Sequence, residues 1–108
     1  MTKELKKIGY CYASINTLKL KLDNCFKEYE NNYFYIFKVV TNKGINFALY
    51  VQRKKVNYDF NKDVYFSIWG INAAALEKFK NHTNLNYLSL REYENLKGGA
   101  PYQVISYE

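Results

Sequence analysis

The residues of this chain that could carry covalent or metal chemistry are few, and their spacing keeps them apart. Its single histidine, His82, follows an amphipathic stretch that begins at Ala73, and its two cysteines, Cys11 and Cys25, stand fourteen residues apart. No Cys-x-x-Cys, His-Glu-x-x-His or calcium-loop spacing gathers ligands, so neither a metal nor a cofactor is expected. A nucleophile would need His82 as its base. Cys25 falls on an apolar helical stripe, where a thiol stays protonated and inert. Both cysteines read as buried free thiols rather than a disulfide. Asp59 and Asp63 belong to a polar loop, and Glu92 and Glu94 diverge because residues two apart on a helix do not share a face. Gly98-Gly99-Ala100 leads into Pro101 and an expected strand, so no helix N-terminus is left to cradle a phosphate. His82 suits a helix end, beside the negative pole of the dipole. These residues predict no catalytic group and a protein that is not an enzyme.

What remains is suited to contact. The net charge is +6, and the chain holds 12 Tyr, 7 Phe and one Trp. Tyr50, Tyr65 and Trp69 fall on one side of two expected strands, where large rings with few rotatable bonds suit a binding surface. Two basic clusters adjoin them, Lys3, Lys6 and Lys7 at the start and Arg53, Lys54 and Lys55 at the end of a strand. Of 16 basic residues only Arg53 and Arg91 are arginine. Planar, bidentate recognition of phosphate and guanine favours arginine, so the charge fits loose phosphate attraction better than base-reading specificity. A composition rich in Lys, Asn, Tyr, Phe and Ile also matches an AT-rich coding sequence.

These residues need a scaffold. At 108 residues, without repeats or a Pro/Gly/Ser linker, the chain reads as one domain over residues 1–108. Ile8 to Ile15 reads as a strand. Asn16 or Thr17 offers a cap, and Leu18, Leu22, Cys25, Phe26 and Tyr29 make one helical stripe. Lys19, Asp23 and Lys27 would lace its outer face with ion pairs. Tyr33 to Val40 and Ile45 to Arg53, joined by the turn Thr41-Asn42-Lys43-Gly44, form a hairpin. A loop from Asn57 to Asp63 precedes a strand from Val64 to Ile71. Asn72 caps a helix through Phe79, and Ser89 with Glu92 makes a capping box for another that Gly98 ends. Tyr102 to Tyr107 reads as a closing strand. The expected order is β-α-β-β-β-α-α-β, an α+β domain with an antiparallel-rich sheet of about five strands and two to three helices.

Two short resemblances accompany this order. Tyr35-Ile36-Phe37-Lys38-Val39-Val40-Thr41-Asn42-Lys43-Gly44, followed by Leu49-Tyr50-Val51-Gln52, resembles the opening hairpin of GIY-YIG nucleases, with Gln52 where that family has glycine. It implies a small nuclease. The run from the helix at Leu18 to the helix at Ala73, α-β-β-β-α, resembles the order of double-stranded-RNA-binding domains. Asn72, Ala73, Ala74 and Ala75 stand where those domains carry phosphate-holding lysines.

The expected function is therefore stoichiometric binding of an anionic partner through Tyr50, Tyr65, Trp69 and the adjoining basic residues. The first expectation for that partner is a protein machine that handles nucleic acid, as for a phage or mobile-element inhibitor or accessory protein. Direct binding of nucleic acid by stacking and lysines is the alternative, and a small enzyme such as a nuclease the second alternative. An edge strand leaves a homodimer open. No apolar run reaches the roughly 18 residues of a membrane span, and the amino terminus lacks a signal-peptide pattern. The protein is expected in the cytoplasm of a bacterium or of an infected host cell.

Overall fold

The computed structural model describes residues 4–23, 25–41 and 44–99, and the side chains of these except 40, 41, 44–46 and 97–99. The elements run β1 (Lys6–Ala13), α1 (Ile15–Leu22), β2 (Phe26–Glu30), β3 (Phe34–Thr41), β4 (Gly44–Gln52), α2 (Arg53–Val56), β5 (Val64–Gly70), α3 (Ala74–Thr83), β6 (Leu88–Ser89) and α4 (Leu90–Gly99). The strands form one six-stranded sheet in the order β2-β3-β4-β5-β1-β6. Every pairing is antiparallel. The α+β class and the antiparallel sheet agree with expectation, while among the described residues the strands number six and the helices four.

The period of two along each strand divides the sheet into unlike faces. Phe37, Val39, Phe47, Leu49, Val51, Phe66 and Ile68 turn to one face and are buried there with Leu18 and Leu22 of α1 and Leu76 and Phe79 of α3. This is the core, and α1 and α3 cover it. The hairpin forms as expected, and Phe47, Leu49 and Val51 share the buried face, with Leu49 opposite Phe37 and Ile68. Gly9 and Gly70 admit the closest approaches. A Cβ on Gly9 would lie 2.6 Å from the Leu88 carbonyl oxygen, and one on Gly70 2.6 Å from the Ala75 Cβ.

The helical stripe from Leu18 to Tyr29 does not persist. Ser14 caps α1, its hydroxyl oxygen accepting the Thr17 amide at 3.1 Å, in place of Asn16 or Thr17. Asp23 takes the left-handed conformation, φ 49°, and ends the helix. Such a conformation is accessible to Asp at small cost. Phe26–Glu30 is then free to pair with β3 as an edge strand. Cys25 is consequently exposed, not buried, while Cys11 is buried as expected. The expected lattice of Lys19, Asp23 and Lys27 is replaced by an ion pair of 3.1 Å between Lys19 and Glu28.

Four strands separate α1 from α3, so the α-β-β-β-α order of double-stranded-RNA-binding domains is not reproduced. The helix expected after Asn72 is α3, with the Asn72 Oδ1 accepting the Ala74 amide at 2.9 Å. The Ser89–Glu92 capping box forms reciprocally, the Ser89 amide donating to Glu92 at 2.8 Å and the Glu92 amide to the Ser89 hydroxyl oxygen at 3.1 Å. The closing strand expected at Tyr102 to Tyr107 lies outside the described residues.

Candidate functional site

Opposite the core, the sheet presents a second face built from the alternate residues of five strands. Register makes a row of five side chains across it. Lys27 stands opposite Lys38, Lys38 opposite Ala48, Ala48 opposite Trp69, and Trp69 opposite Lys7. A second row, one pleat repeat along the strands, holds Tyr29, Ile36, Tyr50, Ser67 and Tyr10. No Asp or Glu occupies a described strand position of this face. The two acidic residues of β2, Glu28 and Glu30, project to the other face, where Lys19 lies 3.1 Å from the first and Arg53 3.2 Å from the second. The sheet thus sorts charge by face, leaving lysines alone beside aromatic rings.

Among the described residues, α4 roofs one end of this face. On α4, Tyr93 is 1% exposed, stacked on Tyr10 with ring centroids 3.7 Å apart and edge-on to Tyr65 at 5.3 Å. Beside that roof lies a cleft of about 360 Å³ whose walls include Lys7, Phe34, Tyr50, Gln52, Lys55 and Trp69. Trp69 and Tyr50 meet at 5.2 Å with their planes tilted by 46°. The indole N–H donates to the Ser67 hydroxyl oxygen at 2.9 Å, and that hydroxyl donates to the Tyr50 carbonyl at 3.4 Å. Trp69 is thereby held in place with one flank turned to the cleft. The Gln52 Oε1 is a buried acceptor without a donor, a rare condition for a side-chain oxygen.

The residues singled out from sequence divide on this geometry. Tyr50, Tyr65, Trp69, Lys7 and Lys55 line the cleft. Tyr65 carries two ring contacts, with Tyr12 at 4.7 Å and edge-on with Tyr93 at 5.3 Å. The amino-terminal cluster does not act as one group. Lys6 is opposite Gly70 and Lys7 opposite Trp69, so they project to opposite faces, and Lys3 lies outside the described residues. Arg53, Lys54 and Lys55 form the single turn α2 instead of closing a strand. Arg53 is engaged in structure, its guanidinium 3.2 Å from Glu30, donating to the Asn31 carbonyl at 2.9 Å and lying over the Tyr35 ring. Lys54 is exposed beside a shallow recess with Tyr33 and Phe34.

Sequence reasoning missed Lys27 and Lys38. Neither has an ion pair among the described residues, and the Lys38 ammonium lies 5.0 Å from the Tyr29 ring centroid. The period-two run Phe26-Lys27-Glu28-Tyr29-Glu30 was the signal that could have found them. Among the described residues no three of His, Cys, Asp and Glu are placed to share a metal ion. His82 lies in the last turn of α3, its Nε2 3.4 Å from the Leu22 carbonyl oxygen and its ring edge-on to Phe47. No helix among the described residues is long and apolar enough to cross a membrane. Comparison with protein-family models, curated proteins and solved structures gives no match to this chain.

Proposed function

We propose that this protein acts by stoichiometric contact, not catalysis, and holds an anionic partner across the open face of its sheet, as an accessory to machinery that handles nucleic acid. The observation that carries this reading is the row Lys27–Lys38–Ala48–Trp69–Lys7 on a face without described acidic strand residues. Lysines gathered on one face raise the local potential and draw in an anion, and salt weakens that attraction. Half-buried Tyr50 and Trp69 beside the row supply apolar contact once the anion has been drawn in.

The test compares two doubly substituted chains of equal net charge. Lys27→Glu with Lys38→Glu removes cations from the open face, and Lys78→Glu with Lys80→Glu removes two exposed cations from α3, on the far side. On an immobilised polyanion, the open-face variant elutes at clearly lower salt than the α3 variant. Equal elution of the two would mean that only net charge matters and would remove the case for a binding face.

A further inference from the structure

We propose that the anion laid across this face is a single-stranded nucleic acid, an inference that rests on the binding reading above and names its ligand. The two rows carry the argument. The lysine row and the row Tyr29–Ile36–Tyr50–Ser67–Tyr10 run side by side across the strands, about 7 Å apart, as alternate residues on one strand must be. A single strand has the same two-rail form, charged phosphates along one side and planar bases along the other. Lysines meet phosphates as point charges, and rings accept base faces with little regard to sequence. From Lys27 to Lys7 the row crosses four strand spacings, about 19 Å, which a few nucleotides bridge.

Exposure gives the track a direction. Tyr29, at the β2 edge, is 46% exposed, and Tyr10, at the other end, is 8% exposed beneath Tyr93. The track therefore opens at β2, deepens into the cleft at Tyr50 and Trp69, and stops against α4. An acidic polypeptide is the poorer match. Carboxylates would meet the lysines much as phosphates do, but an acidic chain brings no run of planar faces for the Tyr29 and Tyr50 rings of the second row. A duplex fits poorly too, because paired and stacked bases hide the faces that the rings would take.

Trp69 is the only tryptophan and lies in the lysine row beside Lys7, so its fluorescence reports on the track directly. The full chain is titrated at low salt with oligo(dT) and oligo(rU) of about a dozen nucleotides, with the matching duplex, and with poly-glutamate. Single strands quench the emission saturably and bind more tightly than the duplex. Engagement of Lys7, Lys27 and Lys38 gives log Kd a slope of about 2 against log salt. Lys27→Glu with Lys38→Glu weakens binding by about tenfold or more, and the milder Lys27→Gln with Lys38→Gln weakens it less. Oligonucleotides that neither quench nor bind at low salt overturn the assignment. In that event, the elution difference between the open-face and α3 variants decides the wider reading. If the difference persists, poly-glutamate binding marks an acidic protein as the occupant. If the difference is absent, the binding face falls with its ligand.

Discussion

Lys27 and Lys38 stand directly opposite each other on the open face of the β2–β3 pair, with no carboxylate of the described residues paired to either. Like charges opposed in this way destabilise a sheet. The same strand holds Glu28 and Glu30, but the period of two turns both to the other face. An opposed lysine pair that no described carboxylate neutralises suits an anion site, and it implies a conflict between binding and stability. Lys27→Glu should raise stability by about 0.2–1 kcal/mol by making an opposed ion pair. The urea midpoint should rise at low salt, and the gain should fade as salt is added. The same variant should bind polyanions less well. A lower midpoint would show that the two ammonium groups do not repel each other.

Tyr93 fastens α4 to the open face. Its ring stacks on Tyr10 at 3.7 Å and 16° and meets Tyr65 edge-on. The reciprocal Ser89–Glu92 capping box closes its first turn where it leaves β6. Tyr93→Ala should release α4 locally while the core stays intact, since the core lies on the opposite face. Amide hydrogen exchange should accelerate across residues 90–96 and remain slow in β3 and β4. Tyr93→Phe, which keeps the stack, should accelerate exchange less than Tyr93→Ala. Uniform acceleration through β3 and β4 would mean that α4 and the sheet unfold as one unit.

The hairpin, β5, α3 and the Ser89–Glu92 cap were legible because local pattern and tertiary demand agree there. Phe47, Leu49 and Val51 share one period and one buried face. The segment after Leu22 was not legible, because Cys25, Phe26 and Tyr29 satisfy a helical spacing as well as an alternating one. The outcome was decided by Asp23, which ends the helix with φ 49°, and by β3, whose outer edge takes Phe26–Glu30 as partner. The site was half legible for the same reason. Tyr50 and Trp69 come from segments read correctly as strands, whereas Lys7 was placed ahead of the first strand, which begins two residues earlier than expected, Lys27 on a helix, and Lys38 in a strand whose faces could not be told apart. Their juxtaposition exists only through a pairing that the stripe concealed.

Strand β2 is an edge of the sheet, and its charges argue against the homodimer that an edge leaves open. Two copies joined antiparallel about a two-fold axis form a continuous sheet in which opposed residues share a face. A register centred on Lys27 opposes Lys27 to its own copy, one centred on Glu28 opposes Glu28 to itself, and one centred on Tyr29 opposes Glu28 to Glu30. Charges placed so are a recognised protection of an exposed edge. Light scattering should report no two-chain species that grows as salt screens these repulsions. A dimer that strengthens with added salt would show that β2 pairs with itself.

The two thiols should differ sharply in reactivity, although the sequence suggested the same buried state for both. Cys11 lies between β5 and β6 on the core side of β1, 1% exposed. Burial pushes its thiol up to about 12, because the charged thiolate is poorly solvated in an apolar interior. Cys25, just ahead of β2, is exposed. Native protein should therefore take up one equivalent of an aromatic disulfide reagent rapidly, at Cys25, and the second only after denaturant is added. Cys25→Ser should abolish the fast phase, while Cys11→Ser should leave it intact. Raising the pH from 7 to 9 should leave Cys11 unmodified, since both values lie far below its pKa. Labelling of Cys11 in the native chain at a rate comparable to Cys25 would mean that β1 opens readily at its β6 edge.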